Sequence, residues 1–306
     1  MKNALKKHYI IIILFSLLSL FMILITTIKT NYCCYMPGAI SKVSNVLEID
    51  GIDSSNNYYS TSVYYYDTVS VFQKFIYSNM DTATLYKKGK GYSSEKDSLQ
   101  GEIEHNSAIY SSVIAAYNLA NKALDYKYKG TYVYDTTSKN LQIGDVVLGS
   151  NYDECASNLL LDEFTILRDN KEMTTTLDEG DKVVLDYAYY EIYNDSIRVY
   201  PSNNEGPSAG FMQSLKLYDD LVDVDLSKNK KIAGTGTIDE DGNVGAIGAI
   251  DLKLYTAMYN NVDIFFVPVA NRDEARDTVA KLNGKMRIVY VNTLAEAVSF
   301  LEGYES

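Results

Sequence analysis

The chain has 306 residues, of which 46% are hydrophobic and 22% charged, a balance typical of globular proteins and too apolar for a disordered one. Its net charge is −12, and residues 31–306 alone carry −16 because the first thirty residues hold four lysines and no acid. So acidic a body repels the phosphates of nucleic acid, and no nucleic-acid partner is expected. Two histidines, His8 and His105, are too few for a His-rich zinc site. No metal or cofactor is expected.

The amino-terminal segment has the pattern of a membrane span. Lys2, Lys6 and Lys7 precede an uncharged run over residues 9–28. Twenty helical residues reach about 30 Å, the thickness of one hydrocarbon core. Lysines ahead of the run predict a cytoplasmic amino terminus in the cell membrane and a body on the other side. A cleaved signal peptide is the competing interpretation, but no small-residue cleavage site follows the long run, which favours an uncleaved anchor over residues 1–31.

Three cysteines, Cys33, Cys34 and Cys155, do not make a disulfide framework. The Cys33–Cys34 pair resembles a lipidation site only superficially, because the residues before it are not small. A pairing of Cys155 with one of them stays open.

Residues 32–125 are predicted to be β-rich with helices. A turn is expected at residues 36–38, a hairpin signal lies at Asp50-Gly51, and apolar residues recur at helical spacing over residues 94–123. His105, near the start of that helical stretch, is expected to be a surface or capping residue.

Residues 126–190 consist of short predicted strands and turns. Two Gly-Asp turns, Gly144-Asp145 and Gly180-Asp181, each lead into a β-branched strand. This pattern resembles a PDZ domain, and the resemblance implies a groove that binds a peptide as an added strand. A small β module that serves only as a spacer is the alternative.

From residue 191 to 306, strands alternate with helices, which predicts an α/β or α+β domain. Within it, the segment Glu205-Gly206-Pro207-Ser208-Ala209-Gly210 separates a strand from an amphipathic helix and places Ser208 at the first turn of that helix. Unpaired N–H groups gather there, so the hydroxyl is either an ordinary cap or a nucleophile beside donors for an oxyanion. On this segment alone, the cap is favoured.

Lys253 lies in an apolar stretch at the start of another predicted helix. Desolvation and the positive helix end both disfavour a charged amine there, while Asp251 could partly restore the charge. A neutral lysine amine can take the proton of a serine hydroxyl without any histidine. Taken alone, Lys253 is more often an exposed residue whose stem covers apolar surface.

Four separated pieces of the sequence together resemble the proteolytic domain of the Lon protease family. They are Gly-Pro-Ser208-Ala-Gly, Gly-Thr235-Gly, the glycine-rich run over residues 242–248, and Lys253. The resemblance implies that Ser208 is the catalytic serine, Lys253 the catalytic lysine and Thr235 a hydrogen-bonding partner of both. It also implies an oxyanion site at the backbone near Ser208 and Ala209. Glu205 occupies the place of an aspartate in many Lon enzymes.

Two departures from the Lon pattern are Ala249, where glycine is usual, and Asp251, where lysine is common. The sequence contains no Walker A motif, so no ATPase is expected within it.

The expected order is an anchor (1–31), a β-rich and helical region (32–125), a PDZ-like module (126–190) and a Lon-type domain (191–306). This order is similar to that of the membrane-anchored Lon-like (YlbL-type) peptidases of Gram-positive bacteria. The resemblance implies a serine endopeptidase that hydrolyses extracytoplasmic proteins or peptides without ATP, with homo-oligomers as an option. A catalytically silent, membrane-tethered peptide-binding scaffold is the alternative.

Overall fold

The computed structural model describes residues 2–52, 57–89, 91–222, 224–282, 284 and 286–304, with the side chains of 2–7 left out. The described residues form a mixed α/β structure that divides into two compact units. The smaller unit comprises Met1–Gly38 and Val63–Tyr92, and the larger comprises Ala39–Ser62 and Ser93–Ser306. The division into four parts expected from the sequence stays a prediction.

Eight α-helices lie in the described part of the chain: α1 (Lys2–Thr27), α2 (Val71–Tyr77), α3 (Ser94–Leu119), α4 (Tyr152–Asn158), α5 (Gly210–Val222), α6 (Ile250–Tyr259), α7 (Arg272–Leu282) and α8 (Leu294–Glu302). The strands are β1 (Tyr32–Lys42), β2 (Leu47–Ile49), β3 (Tyr58–Tyr66), β4 (Thr84–Lys87), β5 (Tyr126–Thr136), β6 (Val146–Leu148), β7 (Phe164–Arg168), β8 (Lys171–Thr175), β9 (Val183–Ile192), β10 (Ile197–Val199), β11 (Ile232–Gly234), β12 (Thr237–Ile238), β13 (Val244–Gly245), β14 (Ile264–Pro268) and β15 (Arg287–Val291).

The smaller unit contains α1, α2 and the antiparallel pair of β1 and β4. Residues His8–Thr27 of α1 are long and apolar enough to cross a membrane, a criterion that a signal sequence at an amino terminus also meets. A turn is predicted at residues 36–38, but these residues lie inside β1, so that prediction is wrong. Both cysteines of β1, like Cys155 in the larger unit, are free thiols.

The larger unit is built on a parallel sheet in the order β3–β11–β14–β15. Side chains alternate between its two faces, as the pleat of a strand requires. Ile264 and Phe266 pack with α5 and α8, whereas Phe265 and Val267 pack with α6 and α7. Because both faces are covered, the middle strands are apolar throughout, and the loops at their carboxyl ends are held on a rigid base.

Helix α3 packs against α5 and also contacts β9. Strand β9 belongs to a second sheet in the order β8–β7–β6–β5–β9, all of it antiparallel. The predicted hairpin at Asp50-Gly51 is wrong, because β2 pairs with the distant strand β10 rather than with a neighbour in sequence.

Candidate active site

Ser208 lies in the turn that joins β10 to α5. Gly206 has φ +83°, a left-handed conformation that favours glycine, and Pro207 follows it. Helix α5 begins at Gly210, so Ser208 precedes the helix by two residues rather than lying in its first turn. Ser208 is half-buried beside the amino terminus of α5.

The segment after β11 fixes the backbone of Ser208. The Gly236 amide donates to the Ser208 carbonyl at 2.9 Å, and the Thr235 hydroxyl donates to the same oxygen at 3.1 Å. In return, the Phe211 amide donates to the Gly236 carbonyl at 3.1 Å. A side chain at Gly236 would come within 2.7 Å of Val244 Cγ1, so glycine is needed for this close approach.

Lys253 reaches the same place from α6. Its side chain is 4% exposed, and its Nζ lies 2.6 Å from Ser208 Oγ. The amine also donates to Thr235 Oγ1 at 3.1 Å. Three residues predicted from separate segments therefore meet through their side chains.

Burial lowers the pKa of Lys253 from 10.5 to about 8. At pH 7 roughly one such amine in ten is neutral, whereas an ordinary lysine is almost wholly charged. Among the described residues no carboxylate, Asp251 included, forms an ion pair with Lys253, and burial is the cause of its lowered pKa. Burial therefore increases the fraction of neutral Lys253, the form that can accept a proton.

Backbone donors lie beside the Ser208 hydroxyl. The Gly210 amide donates to the Pro207 carbonyl, and the Phe211 amide donates to the Gly236 carbonyl. Within the described chain, the amides of Ser208 and Ala209 donate to no protein acceptor. Their place at the amino end of α5 suits them to a developing negative charge.

Glu205 is exposed, and its carboxylate accepts a hydrogen bond from Ser98 on α3. The Gly206 amide donates to the carbonyl of Gly101 on the same helix at 2.8 Å. A Cβ at Gly101 would lie 2.9 Å from that of Glu205, so a glycine in mid-helix lets the turn approach closely. These contacts tie Glu205 to α3 rather than to Lys253.

The expectation that His105 is a surface residue is wrong. His105 is 4% exposed on α3, and its Nε2 lies 3.0 Å from Ser202 Oγ in the segment that leads to Ser208. Burial lowers the pKa of its imidazole. One signal in the sequence could have indicated this burial: the many small residues of α3, such as Ser107, Ala108 and Ser112, are typical of a helix enclosed on several sides.

No group of three or more His, Cys, Asp or Glu side chains in the described residues is arranged to hold a metal ion. Residues 199–301 match the family model of the Lon protease (S16) C-terminal proteolytic domain. The match runs from the end of β10 into α8 and contains Ser208, Thr235 and Lys253. Residues 199–301 of this chain are a Lon protease (S16) C-terminal proteolytic domain, which makes this part of the protein a serine peptidase domain.

Proposed function

We propose that this protein is a serine endopeptidase in which Ser208 and Lys253 form the catalytic dyad. The observation that carries the proposal is the 2.6 Å separation between Lys253 Nζ and Ser208 Oγ inside a domain of the Lon type. Burial keeps part of the Lys253 population neutral near physiological pH. A neutral amine at hydrogen-bond distance from a hydroxyl meets both requirements of a general base, namely geometry and pKa.

In the proposed reaction, neutral Lys253 takes the proton of Ser208 while Oγ attacks the carbonyl carbon of the scissile peptide bond. The amides of Ser208 and Ala209 stabilise the resulting oxyanion. Lys253 then gives its proton to the leaving nitrogen, the C–N bond breaks, and an ester on Ser208 remains. Water, deprotonated by Lys253, attacks this ester, and the proton returns to Ser208 as the second product leaves.

Thr235 is proposed as a positioning residue. Its hydroxyl donates to the Ser208 carbonyl and accepts from the Lys253 amine. A neutral amine has two N–H groups and one lone pair. With one N–H held by Thr235, the lone pair of Lys253 is free to point at Ser208 Oγ.

We further propose that α1 stays uncleaved as a single membrane anchor, with its amino terminus in the cytoplasm and the catalytic body on the outside. The apolar stretch His8–Thr27 and the preceding lysines support this orientation. Hydrolysis of substrate proteins is proposed to need no nucleotide.

A PDZ-like role for residues 126–190 is a separate proposal. Both turns that suggested it contain a left-handed glycine, Gly144 at φ +99° and Gly180 at φ +90°, and they precede β6 and β9. Saturable binding of carboxyl-terminal peptides to the Ser208→Ala protein supports a peptide groove, and its absence leaves the spacer interpretation.

The proteolytic proposal is tested with the full chain in detergent and an unfolded protein as substrate, without nucleotide. We expect cleavage by the parent and by Ser299→Ala, a matched change of an exposed serine on α8. Ser208→Ala and Lys253→Ala are expected to lose cleavage by at least about 10³-fold. Cleavage at the parental rate by either dyad variant contradicts the mechanism, and a requirement for ATP contradicts nucleotide independence.

A further inference from the structure

Helix α2 of the smaller unit exposes apolar side chains to an unusual degree. None of its seven residues is buried. Val71, Phe75 and Ile76 are 41%, 67% and 39% exposed. We call these three side chains the α2 face. A cluster of large apolar groups on a helix surface indicates a contact with something less polar than water.

The α2 face lies next to the end of α1. The Thr30 amide donates to the Val69 carbonyl at 2.9 Å, and the Val71 amide donates to the Ile28 carbonyl at 3.0 Å. The apolar stretch of α1 ends at Thr27. The first residue of α2 is therefore hydrogen-bonded to the first residue beyond the apolar stretch, so α2 begins where that stretch ends.

Charge and aromatic content in the smaller unit suit the same environment. Residues 28–38 and 63–92 contain five lysines and only two aspartates, in contrast to the acidic remainder of the chain. Lys74 of α2 lies over the ring of Tyr32 at 3.6 Å, and the ring of Tyr66 packs against that of Tyr77. Tyrosines are enriched where a protein meets the membrane interface, and the positive charge of lysines is attracted to anionic lipid.

We propose that the α2 face inserts into the headgroup region of the bilayer that α1 crosses, and that its partner is an anionic phospholipid surface. This inference rests on the proposed membrane anchoring. The α2 face gives the smaller unit a second contact with lipid beside the span. Its apolar side chains supply the burial, and Lys74 lies among lipid phosphates with its stem along the apolar surface.

The chain contains no tryptophan, so a single introduced indole reports its own surroundings. The full-length Phe75→Trp protein is reconstituted into vesicles of phosphatidylcholine and phosphatidylglycerol, with and without bromine on the upper part of the acyl chains. We expect the fluorescence of this indole to be blue-shifted and to be quenched by brominated lipid. Iodide in the aqueous phase should quench it poorly. N-acetyltryptophanamide in the same vesicles gives the values for indole in water, and far-UV circular dichroism checks that the variant is folded.

Phe21→Trp, within α1, is the matched control for insertion of the span. Quenching of both indoles supports the inference. Quenching of Trp at position 21 together with water-like values at position 75 overturns it and leaves the anchor in place. A blue shift at position 75 without quenching shows that protein covers the α2 face, which also overturns the inference. Failure of quenching at both positions removes the membrane anchor itself, independently of the Ser208 chemistry.

Discussion

Lys253 is placed where a charged amine is unfavourable. Its folded pKa of about 8 lies below the ordinary value of 10.5, so the unfolded chain holds more protons between these two pH values. Stability therefore rises with pH across this window, and the full penalty for a buried charge is present below about pH 8. A shift of this size corresponds to about 3 kcal/mol.

Replacement of Lys253 by methionine removes that penalty while keeping most of the side-chain volume. We expect Lys253→Met to be inactive and more stable than the parent by up to about 3 kcal/mol at pH 7, with the gain shrinking as the pH approaches 10.5. Denaturant unfolding at several pH values measures the difference. Lys122→Met, at an exposed site after α3, is the control and should show no such trend. A destabilised Lys253→Met protein at pH 7 contradicts the assignment of burial as the cause.

Thr235 is wholly buried and contacts both Ser208 and Lys253. Thr235→Val keeps its shape but loses the hydroxyl, so the lone pair of Lys253 is no longer directed at Ser208. We expect kcat to fall on the order of 10²-fold with little change in KM, and Thr235→Ser to recover most of it. Steady-state kinetics on a peptide substrate measure kcat and KM for the parent and both variants. Equal kcat values for the valine and serine variants would remove Thr235 from the positioning role.

The combined Lon-like pattern indicates Ser208 and Lys253 together, whereas each segment alone favours a cap and an exposed lysine. The structure brings their side chains to within 2.6 Å of each other. A Gly-Pro turn restricts the position of Ser208, and a glycine-rich run precedes Lys253. The setting of His105 could not be predicted in the same way. A lone histidine on a helix gives no indication of which other segments contact it, and His105 is hydrogen-bonded to the distant Ser202.

Helix α6 begins with a strained residue. Ala249, its N-cap, has φ +57° and ψ +41°, and its side chain forms no capping hydrogen bond. The left-handed conformation costs an alanine roughly 1–2 kcal/mol relative to its usual state, while glycine adopts it freely. The Lon pattern places glycine at this position, and the backbone conformation supplies the physical reason.

Ala249→Gly should therefore raise the free energy of unfolding by up to about 1 kcal/mol, the relief of strain exceeding the added entropy of the unfolded chain. Ala257→Gly, in the buried middle of the same helix, is the matched control and should lower the stability by about 1 kcal/mol. Thermal or denaturant unfolding of both variants measures the two changes. A loss of stability in both would show that Ala249 is unstrained.

Among the elements from residue 191 onward, strands and helices alternate as predicted except that β11, β12 and β13 follow one another before α6. Thr293 caps α8 by accepting a hydrogen bond from the Glu296 amide, which is one half of a capping box. The Glu296 carboxylate, however, accepts from the Asn292 amide. Local sequence patterns could not predict the pairing of distant strands. Strand β2 pairs with β10, and a hairpin signal after β2 carries no information about that partner.

The whole chain is expected to remain in the membrane. After alkaline carbonate washing, the protein should stay in the membrane pellet with an intact mass that includes residues 1–31, since no small-residue cleavage site follows the span. Protease added outside intact cells should degrade the body and spare the first residues. A shorter chain that begins after the apolar run and leaves the membrane would instead identify α1 as a signal sequence.

At the scale of the molecule, charge and hydropathy predicted a membrane segment followed by an acidic body, and motifs predicted the serine peptidase domain. The two compact units were not predictable. The smaller one combines residues before 39 with residues from 63 to 92, so it is defined by contacts between segments that the sequence separates. The lysine content of these two segments does not indicate that they pack together.

The most direct test of the account is acylation of Ser208 by a serine-reactive probe, followed by intact mass and peptide mapping from about pH 6 to about pH 10. We expect one label, on Ser208, at a rate that rises with pH through a single ionisation near the Lys253 pKa of about 8 and then levels off. Lys253→Arg, whose guanidinium stays charged, should not be labelled at any of these pH values. Labelling of Lys253→Arg at the parental rate, or a label on another residue, would contradict the claim that a neutral Lys253 activates Ser208.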